Sequence, residues 1–186
     1  MLEIVALAVL FVCWIVWVLA FAKPRREAAG HKKVVRAPES LWGIGLAAVG
    51  FALVWMYVRP AGFHKSTMAL VTSMLLGPPS AALAWAATRH LGKQWRYEAA
   101  LSADHDLIQT GPYARIRHPI YASMLGMLLA TAAARTWWPM FLAGLVFFIA
   151  GTEIRVRAEE RLLAERFGEQ YAAYRSRTSA YIPFIR

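Results

Sequence analysis

Charged side chains are scarce in this sequence of 186 residues. Only 17% of the residues are charged, whereas 59% are hydrophobic. A soluble domain usually has about 25% charged and about 45–50% apolar residues. The shortage of charge therefore favours a membrane protein over a soluble globular one, and the length fits a single domain.

Cysteine is scarcer still. Cys13 is the only one, so the chain forms no internal disulfide and has no cysteine cluster for a metal ion. No Gly-x-Gly-x-x-Gly motif follows a strand-like segment, so the signature of a soluble dinucleotide-binding domain is missing. We therefore expect neither a metal site nor a soluble cofactor-binding domain.

Long apolar runs account for most of the chain. About 20 apolar residues cross a hydrocarbon core, and five segments approach that length. Gly77-Pro78-Pro79 predicts a bend in the third, because proline removes a backbone donor, and only Arg135-Thr136 separates the last two, which predicts a short helical hairpin. We predict an all-α integral membrane protein with about five transmembrane helices and a cytosolic amphipathic C-terminal helix. The predicted spans are residues 4–22, 41–58, 66–87, 120–134 and 137–152.

Basic residues predict the orientation. The first span ends in Lys23-Pro24-Arg25-Arg26, which favours a retained span over a signal peptide. Of the 21 lysines and arginines, 18 lie in residues 23–40, 89–119 and 155–186, which share one side if there are five spans. Because basic loops stay cytoplasmic, we predict the N-terminus outside and the C-terminus and active site in the cytoplasm. The apolar spans make an anionic membrane surface, not nucleic acid, the expected partner of this positive charge.

Two segments carry side chains capable of chemistry. In the first, Thr110-Gly111-Pro112 is typical of a turn, and Pro119 suits the first turn of a helix. Arg117 and His118 are then expected at a helix N-terminus, with Tyr121 on the same helical face as His118. The second segment follows the fifth span. It combines Glu159-Glu160 with an apolar stripe at helical spacing, which is Leu163, Phe167, Tyr171 and Tyr174, and Gly168 allows a break there.

Taken in order, these motifs resemble those of a known family. The pattern is Leu-Ile-x-Thr-Gly-Pro-Tyr-x-x-x-Arg-His-Pro-x-Tyr, then a short hairpin, then Glu-Glu-x-x-Leu and Phe-Gly-x-x-Tyr. It is similar to the isoprenylcysteine carboxyl methyltransferases and their prokaryotic relatives, and the phospholipid N-methyltransferases share a looser version. The resemblance covers roughly residues 89–186. It implies one membrane domain, 1–186, with three N-terminal spans in 1–88 and a catalytic core in 89–186.

The resemblance also implies a cofactor and a set of site residues. S-adenosylmethionine would bind in a cytosol-facing pocket over the hairpin, and a lipophilic or prenylated acceptor would enter from the bilayer. Arg117 and Arg177 match arginines that the family uses in catalysis. The positions that match its cofactor-binding residues are His105, Leu107, Ile108, Gly111, Tyr113, His118, Tyr121, Glu159 and Glu160.

These residue types suit methyl transfer. A glutamate can hold the amino group of S-adenosylmethionine, and an arginine or histidine its carboxylate, through charge-assisted hydrogen bonds. A carboxylate acceptor is already ionised at neutral pH, so it needs alignment and dehydration but no general base. Because a guanidinium can hold a carboxylate through two parallel hydrogen bonds, we predict that Arg117 orients the acceptor for O-methylation.

Other interpretations stay open at this stage. Taken singly, Arg117 could anchor a lipid headgroup, His118 could cap a helix, and Glu159 and Glu160 could form surface ion pairs. The alternative activities are a phospholipid amine N-methyltransferase and a small-thiol methyltransferase. More distant alternatives are a nicotinamide-dependent, sterol-reductase-like enzyme and a non-catalytic membrane scaffold.

Overall fold

The apolar runs of the sequence become helices. The computed structural model describes residues 1–22, 34–56, 60–95, 99–102 and 106–181. Within them, five α-helices follow one another along the chain, so the predicted all-α architecture is confirmed. They are α1 (Leu2–Phe21), α2 (Ser40–Trp55), α3 (Thr67–Leu91), α4 (Pro119–Arg135) and α5 (Trp138–Arg177).

Three of these helices, α1, α3 and α5, are long and apolar enough to cross a membrane. The helix α2 is apolar but has only 16 residues, and α4 has 17. The chain is therefore a membrane protein, and the count of five spans stays a prediction. Both Pro78 and Pro79 lie inside α3, which continues as a helix to Leu91.

The fifth span continues without a break into the C-terminal helix, which then kinks at Gly168. The helix α5 extends over 40 residues, from the hairpin to Arg177. The sequence suggested two helices because polar residues begin at Glu153, but backbone hydrogen bonds continue whether the side chains face lipid or water. Gly168 has a φ of 49° and a ψ of −121°, a backbone conformation that favours glycine, so the helix breaks where the sequence allowed it.

Glycines hold α2 and α5 in close contact. A Cβ atom at Gly50 would lie 2.6 Å from the carbonyl oxygen of Gly144, and one at Gly43 would lie 2.5 Å from that of Gly151. Seven residues separate the two positions on each helix, so the contacts repeat along one face of an antiparallel pair. Small residues let helix backbones approach closely in a membrane, where packing drives association. This contact fixes the position of α5 against α2.

The helix α4 lies at the centre of the bundle. One of its faces packs on α1 and α3 through Met127 and Ala130, and another packs on α2 and α5 through Leu128 and Ala132. All four side chains are buried. The N-terminus of α4, where His118 is the capping residue, is therefore held by helices on both sides.

Two short strands, which the sequence analysis did not predict, lie beside the second half of α5. The strand β1 (Val34–Arg36) pairs antiparallel with β2 (Ala100–Ser102). Next to this ribbon, Ala37 and Ala99 pack on Ala158 and Leu162 of α5. Strands of three residues are too short to show a period of two in the sequence. The ribbon connects the segments before α2 and after α3 and supports the polar half of α5.

Candidate active site

Gly111 shapes the loop before α4. It begins a short 3₁₀ turn, Gly111–Ala114, and its φ is 58°. The backbone conformation favours glycine, and a Cβ atom at this position would also have to displace the imidazole of His90. The turn predicted from Thr110-Gly111-Pro112 is present, and it leads the chain to the N-terminus of α4.

Arg117 is buried, and its guanidinium is bound to the protein itself. Its Nε donates to Oε1 of Glu160 at 2.9 Å. Its Nη1 donates to the carbonyl oxygen of Arg175 at 3.1 Å and to that of Thr178. These carbonyls lie at the end of α5, where a helix leaves its acceptors without intrahelical partners. Arg117 therefore links the loop before α4 to the C-terminal end of α5.

The segment after α5 lies along the same loop. The backbone N–H of Arg117 donates to the carbonyl of Ser179 at 2.8 Å, and that of His118 donates to Ala180 at 2.9 Å. The hydroxyl of Tyr181 donates to Oε2 of Glu153 at 3.2 Å. Its ring centre is 6.0 Å from that of His118. The C-terminal segment thus packs beside the imidazole.

His118 lies between the two glutamates. Its Nδ1 is 3.5 Å from Oε2 of Glu159, and its Nε2 is 3.3 Å from Oε1 of Glu160. Burial alone would lower the pKa of this imidazole. The hydrogen bonds to Glu159 and Glu160, together with their charges, outweigh burial and raise the pKa above the ordinary value for histidine. A protonated His118 donates from both nitrogens and so satisfies one oxygen on each carboxylate.

Tyr121 lies between Glu159 and a further cation, Arg155. Its hydroxyl donates to Oε1 of Glu159, and the guanidinium carbon of Arg155 lies 4.9 Å from the centre of its ring. The sequence analysis assigned Arg155 no role, although it precedes Glu159 by four residues and so shares its helical face. By contrast, the side chain of Arg157 is 74% exposed and pairs with Glu153 at 3.0 Å.

The side chains of His118, Tyr121, Arg155 and Glu159 line a cavity of about 480 Å³. This volume is typical of small-molecule and cofactor sites. Polar side chains from α4 and α5 form one wall. Apolar side chains from the preceding loop and from α5 form a second, and the end of α1 forms a third. The principal lining residues are Trp17, Phe21, Leu107, Ile108, Tyr121, Arg155, Glu159 and Leu162.

The structure brings seven of the predicted site residues to this cavity. Of the others, Gly111 shapes the loop, Glu160 is buried against Arg117, and Arg177 is exposed and donates to Gln109. His105 lies outside the described residues. The roles predicted for all of them stay predictions. The seven that line the cavity are Leu107, Ile108, Tyr113, Arg117, His118, Tyr121 and Glu159.

The segment that carries this site matches a family model. Residues 66–165, more than half of the chain, match the Isoprenylcysteine carboxyl methyltransferase (ICMT) family. The chain belongs to the ICMT family. The ICMT match contains the loop before α4, the whole of α4, and the part of α5 with Arg155, Glu159 and Glu160. The resemblance seen in the sequence motifs is therefore confirmed.

Three named relatives align with parts of this ICMT-family chain. Methanethiol S-methyltransferase 1 of Bradyrhizobium diazoefficiens is 40% identical over 78 residues, which are 40% of this chain and 25% of the relative. Protein-S-isoprenylcysteine O-methyltransferase of Saccharomyces cerevisiae is 32% identical over 84 residues, 45% of this chain and 35% of the relative. Cobalt-zinc-cadmium resistance protein CzcN of Cupriavidus metallidurans is 27% identical over 145 residues, 77% of this chain and 62% of the relative. The alignments thus cover less than two thirds of each relative.

Proposed function

We propose that this protein transfers a methyl group from S-adenosylmethionine to a carboxylate on a lipophilic acceptor at the membrane surface. The observation that carries the proposal is the polar wall of the cavity, where His118, Tyr121, Arg155 and Glu159 meet. This wall lies within the segment that matches the ICMT family.

The residues of the cavity fit S-adenosylmethionine. Glu159 offers a carboxylate for the cofactor's amino group through a charge-assisted hydrogen bond, and His118, whose two nitrogens face Glu159 and Glu160, holds that carboxylate in position. Leu107, Ile108 and Leu162 offer apolar surface for the adenine ring. When bound, S-adenosylmethionine supplies a methyl group on a sulfonium, whose sulfur keeps the electron pair of the broken C–S bond.

Arg155 is the residue that we assign to the acceptor carboxylate. It lines the cavity, and its guanidinium is held over the ring of Tyr121. A planar guanidinium orients a carboxylate through two parallel hydrogen bonds. Arg117, the residue first predicted for this role, donates to Glu160 and to two carbonyls at the end of α5, so we assign it a positioning role.

An ionised acceptor simplifies the reaction. Its carboxylate oxygen forms the new bond to the methyl carbon as the C–S bond breaks, and no proton is released. The protein therefore has to align the two groups and exclude water from them. Arg155 and Tyr121 would align the acceptor, and the buried ion pairs around His118 would hold the cofactor side rigid.

A small thiol is the second candidate acceptor. The relative that is 40% identical over 78 residues bears the name methanethiol S-methyltransferase 1. A thiol attacks as its thiolate, so its proton must be accepted. Glu159 and Asp106 both line the cavity, and either carboxylate is placed to accept it. The product would then be a thioether.

The test uses the purified chain of 186 residues in detergent. Calorimetry with S-adenosylhomocysteine and, separately, with NADPH distinguishes a methyltransferase from a reductase. Transfer of labelled methyl to N-acetyl-S-farnesylcysteine, an alkanethiol or a phospholipid amine then identifies the acceptor class. We expect S-adenosylhomocysteine to bind and a base-labile methyl ester to form. Binding of NADPH alone, or of neither ligand, would refute the proposal.

We also propose that the cavity faces the cytoplasm, with the N-terminus on the opposite side. Two of the three basic segments, 89–119 and 155–186, contain the site. Single cysteines placed at residues 2, 135 and 180 of a Cys13→Ser variant can be labelled from either side of sealed vesicles. Labelling of 135 and 180 from the same side would contradict this orientation.

A further inference from the structure

One wall of the cavity lies outside the segment that matches the ICMT family. That match begins at residue 66, but the last turn and a half of α1 contributes Trp17, Val18 and Phe21 to the cavity, and Ala22 follows them. Trp95, from the segment after α3, lies next to them. The family-matched core therefore supplies the polar wall, while α1 supplies a wall of its own.

The α1 wall, defined as Trp17, Val18, Phe21 and Trp95, is aromatic and ordered. The rings of Trp17 and Phe21 meet edge to face with centres 4.6 Å apart, and those of Phe21 and Trp95 are 5.6 Å apart. Nε1 of Trp17 donates to Oγ of Ser123 in α4 at 3.3 Å. This bond and these ring contacts fix the α1 wall against the polar part of the site.

The α1 wall is also close to the outside of the protein. Val18 lines the cavity and is nevertheless 53% exposed, and its neighbour Leu19 is 54% exposed. Because α1 is long and apolar enough to cross the membrane, we expect the surface exposed at this end of the helix to border lipid. The cavity is therefore bounded there by apolar groups that a hydrocarbon chain can contact without meeting a charge.

We propose that the α1 wall binds the apolar tail of the methyl acceptor and sets the tail size that the enzyme accepts. The inference rests on the proposed function, because it assigns the second ligand of the same cavity. The proposed function assigns the adenine ring of the cofactor to Leu107, Ile108 and Leu162 and its amino group to Glu159. The α1 wall is therefore left for the acceptor. An apolar tail gains free energy from contact with aromatic surface in proportion to the area removed from water.

The test measures binding, so it does not depend on turnover. The purified protein is saturated with S-adenosylhomocysteine. Calorimetry then measures the binding of N-acetyl-S-farnesylcysteine and of its shorter prenyl homologue, which has one five-carbon unit. We expect Trp17→Ala and Phe21→Ala each to lower the affinity for the farnesyl probe about tenfold, which corresponds to about 1.4 kcal/mol. The affinity for S-adenosylhomocysteine should stay as in wild type. Trp42→Ala is the matched control, because Trp42 is 78% exposed on α2 and is not among the residues that line the cavity.

A second variant adds volume in place of removing it. Val18→Phe should reduce binding of the farnesyl probe more than that of the shorter homologue, because a larger side chain narrows the tail site. Since Val18 is half exposed, this change leaves room for the protein to fold, and bound S-adenosylhomocysteine reports that it has folded.

The outcomes are separable. If the variants bind the farnesyl probe as wild type does, or if the loaded wild-type protein binds neither probe, the α1 wall is not the tail site, and the cofactor assignment stands. If wild type fails to bind S-adenosylhomocysteine, the proposed function fails. The same variants and probes, used with the free protein, then test the α1 wall as an apolar binding site by itself.

Discussion

Arg117 and Glu160 form a buried ion pair, in which Nε of the arginine lies 2.9 Å from Oε1 of the glutamate. The same guanidinium donates to two carbonyls at the end of α5. Glu160 in turn is 3.3 Å from Nε2 of His118. Arg117 thus fixes the carboxylate of Glu160 behind the cavity and, through it, the imidazole of His118. It also fixes the segment that follows α5.

The first prediction concerns Arg117→Lys. Lysine keeps the charge but loses the planar fork, so two hydrogen bonds worth about 1 kcal/mol each are lost. We expect the melting temperature in detergent to fall by about 4–8 °C and the affinity for S-adenosylhomocysteine to fall with it. Arg175→Lys is the control, since that side chain is 54% exposed and 3.7 Å from Glu160. Slow turnover with wild-type stability and cofactor affinity would support the original prediction that Arg117 holds the acceptor.

The second prediction separates the two glutamates. Glu159 lines the cavity, whereas Glu160 is buried behind it. Glu159→Gln should lower the affinity for S-adenosylhomocysteine by roughly ten- to a hundredfold, because a charge-assisted hydrogen bond contributes about 1.5–3 kcal/mol. Glu160→Gln should mainly lower the melting temperature, because it leaves Arg117 buried without its counter-charge. Calorimetry and thermal denaturation on both variants give the comparison, and a reversed pattern would exchange their roles.

The third prediction tests the acceptor cation. Arg155→Lys should reduce turnover at least tenfold, since a point charge replaces the bidentate fork, while S-adenosylhomocysteine affinity stays within about twofold of wild type. Arg157→Lys, two residues along the same helix but exposed, should behave as wild type in both assays. Unchanged turnover in Arg155→Lys would show that Arg155 does not orient the acceptor carboxylate.

The fourth prediction concerns pH. The pKa of His118 is raised in the folded protein, so its protonated form stabilises the fold. This stabilisation is fully present below the unfolded-state pKa of about 6.5 and is lost as pH rises through the folded-state pKa. The gap in melting temperature between wild type and His118→Gln should therefore be widest in acid and narrow towards alkaline pH. A gap that widens with pH would show that His118 is neutral in the fold.

The fifth prediction concerns the glycine contact between α2 and α5. A Cβ atom at Gly144 would lie 2.7 Å from the carbonyl oxygen of Gly50, and overpacking of this kind costs about 1–3 kcal/mol. Gly144→Leu should therefore lower the melting temperature clearly. Gly45→Ala on the same pair of helices is the control, because a Cβ atom there meets nothing within 4 Å. Equal melting temperatures for the two variants would show that α2 and α5 are not in close contact.

Much of the fold follows from the sequence, because long apolar runs and turn residues are local properties of the chain. The five helices and the turn at Gly111 are of this kind. The strands β1 and β2 are not, since three residues on each side have no period that a sequence displays. The union of α5 with the C-terminal helix was also missed, because a change in polarity at Glu153 looks like the end of a span.

In the candidate site, too, some residues could be predicted from local motifs and others could not. Ordered motifs identified His118, Tyr121 and Glu159, which now line one cavity. Arg155 and Arg157 look alike in the sequence, and only the direction in which each side chain leaves α5 separates the partly buried one from the exposed one. The place of Phe21 in the cavity could not be predicted either, because it depends on packing between residues some 100 positions apart.

The helix α5 passes without interruption from Gly144, at its contact with α2, to Glu159 in the cavity. Fifteen residues of helix make a rod about 22 Å long. A tilt of about 5° at the lipid-embedded end would therefore displace Glu159 by roughly 2 Å, more than methyl transfer tolerates between reacting groups. If the protein acts as proposed, the alignment of the reacting groups is set inside the bilayer as well as at its surface. We then expect the thickness and lateral pressure of the surrounding lipid to change the catalytic rate.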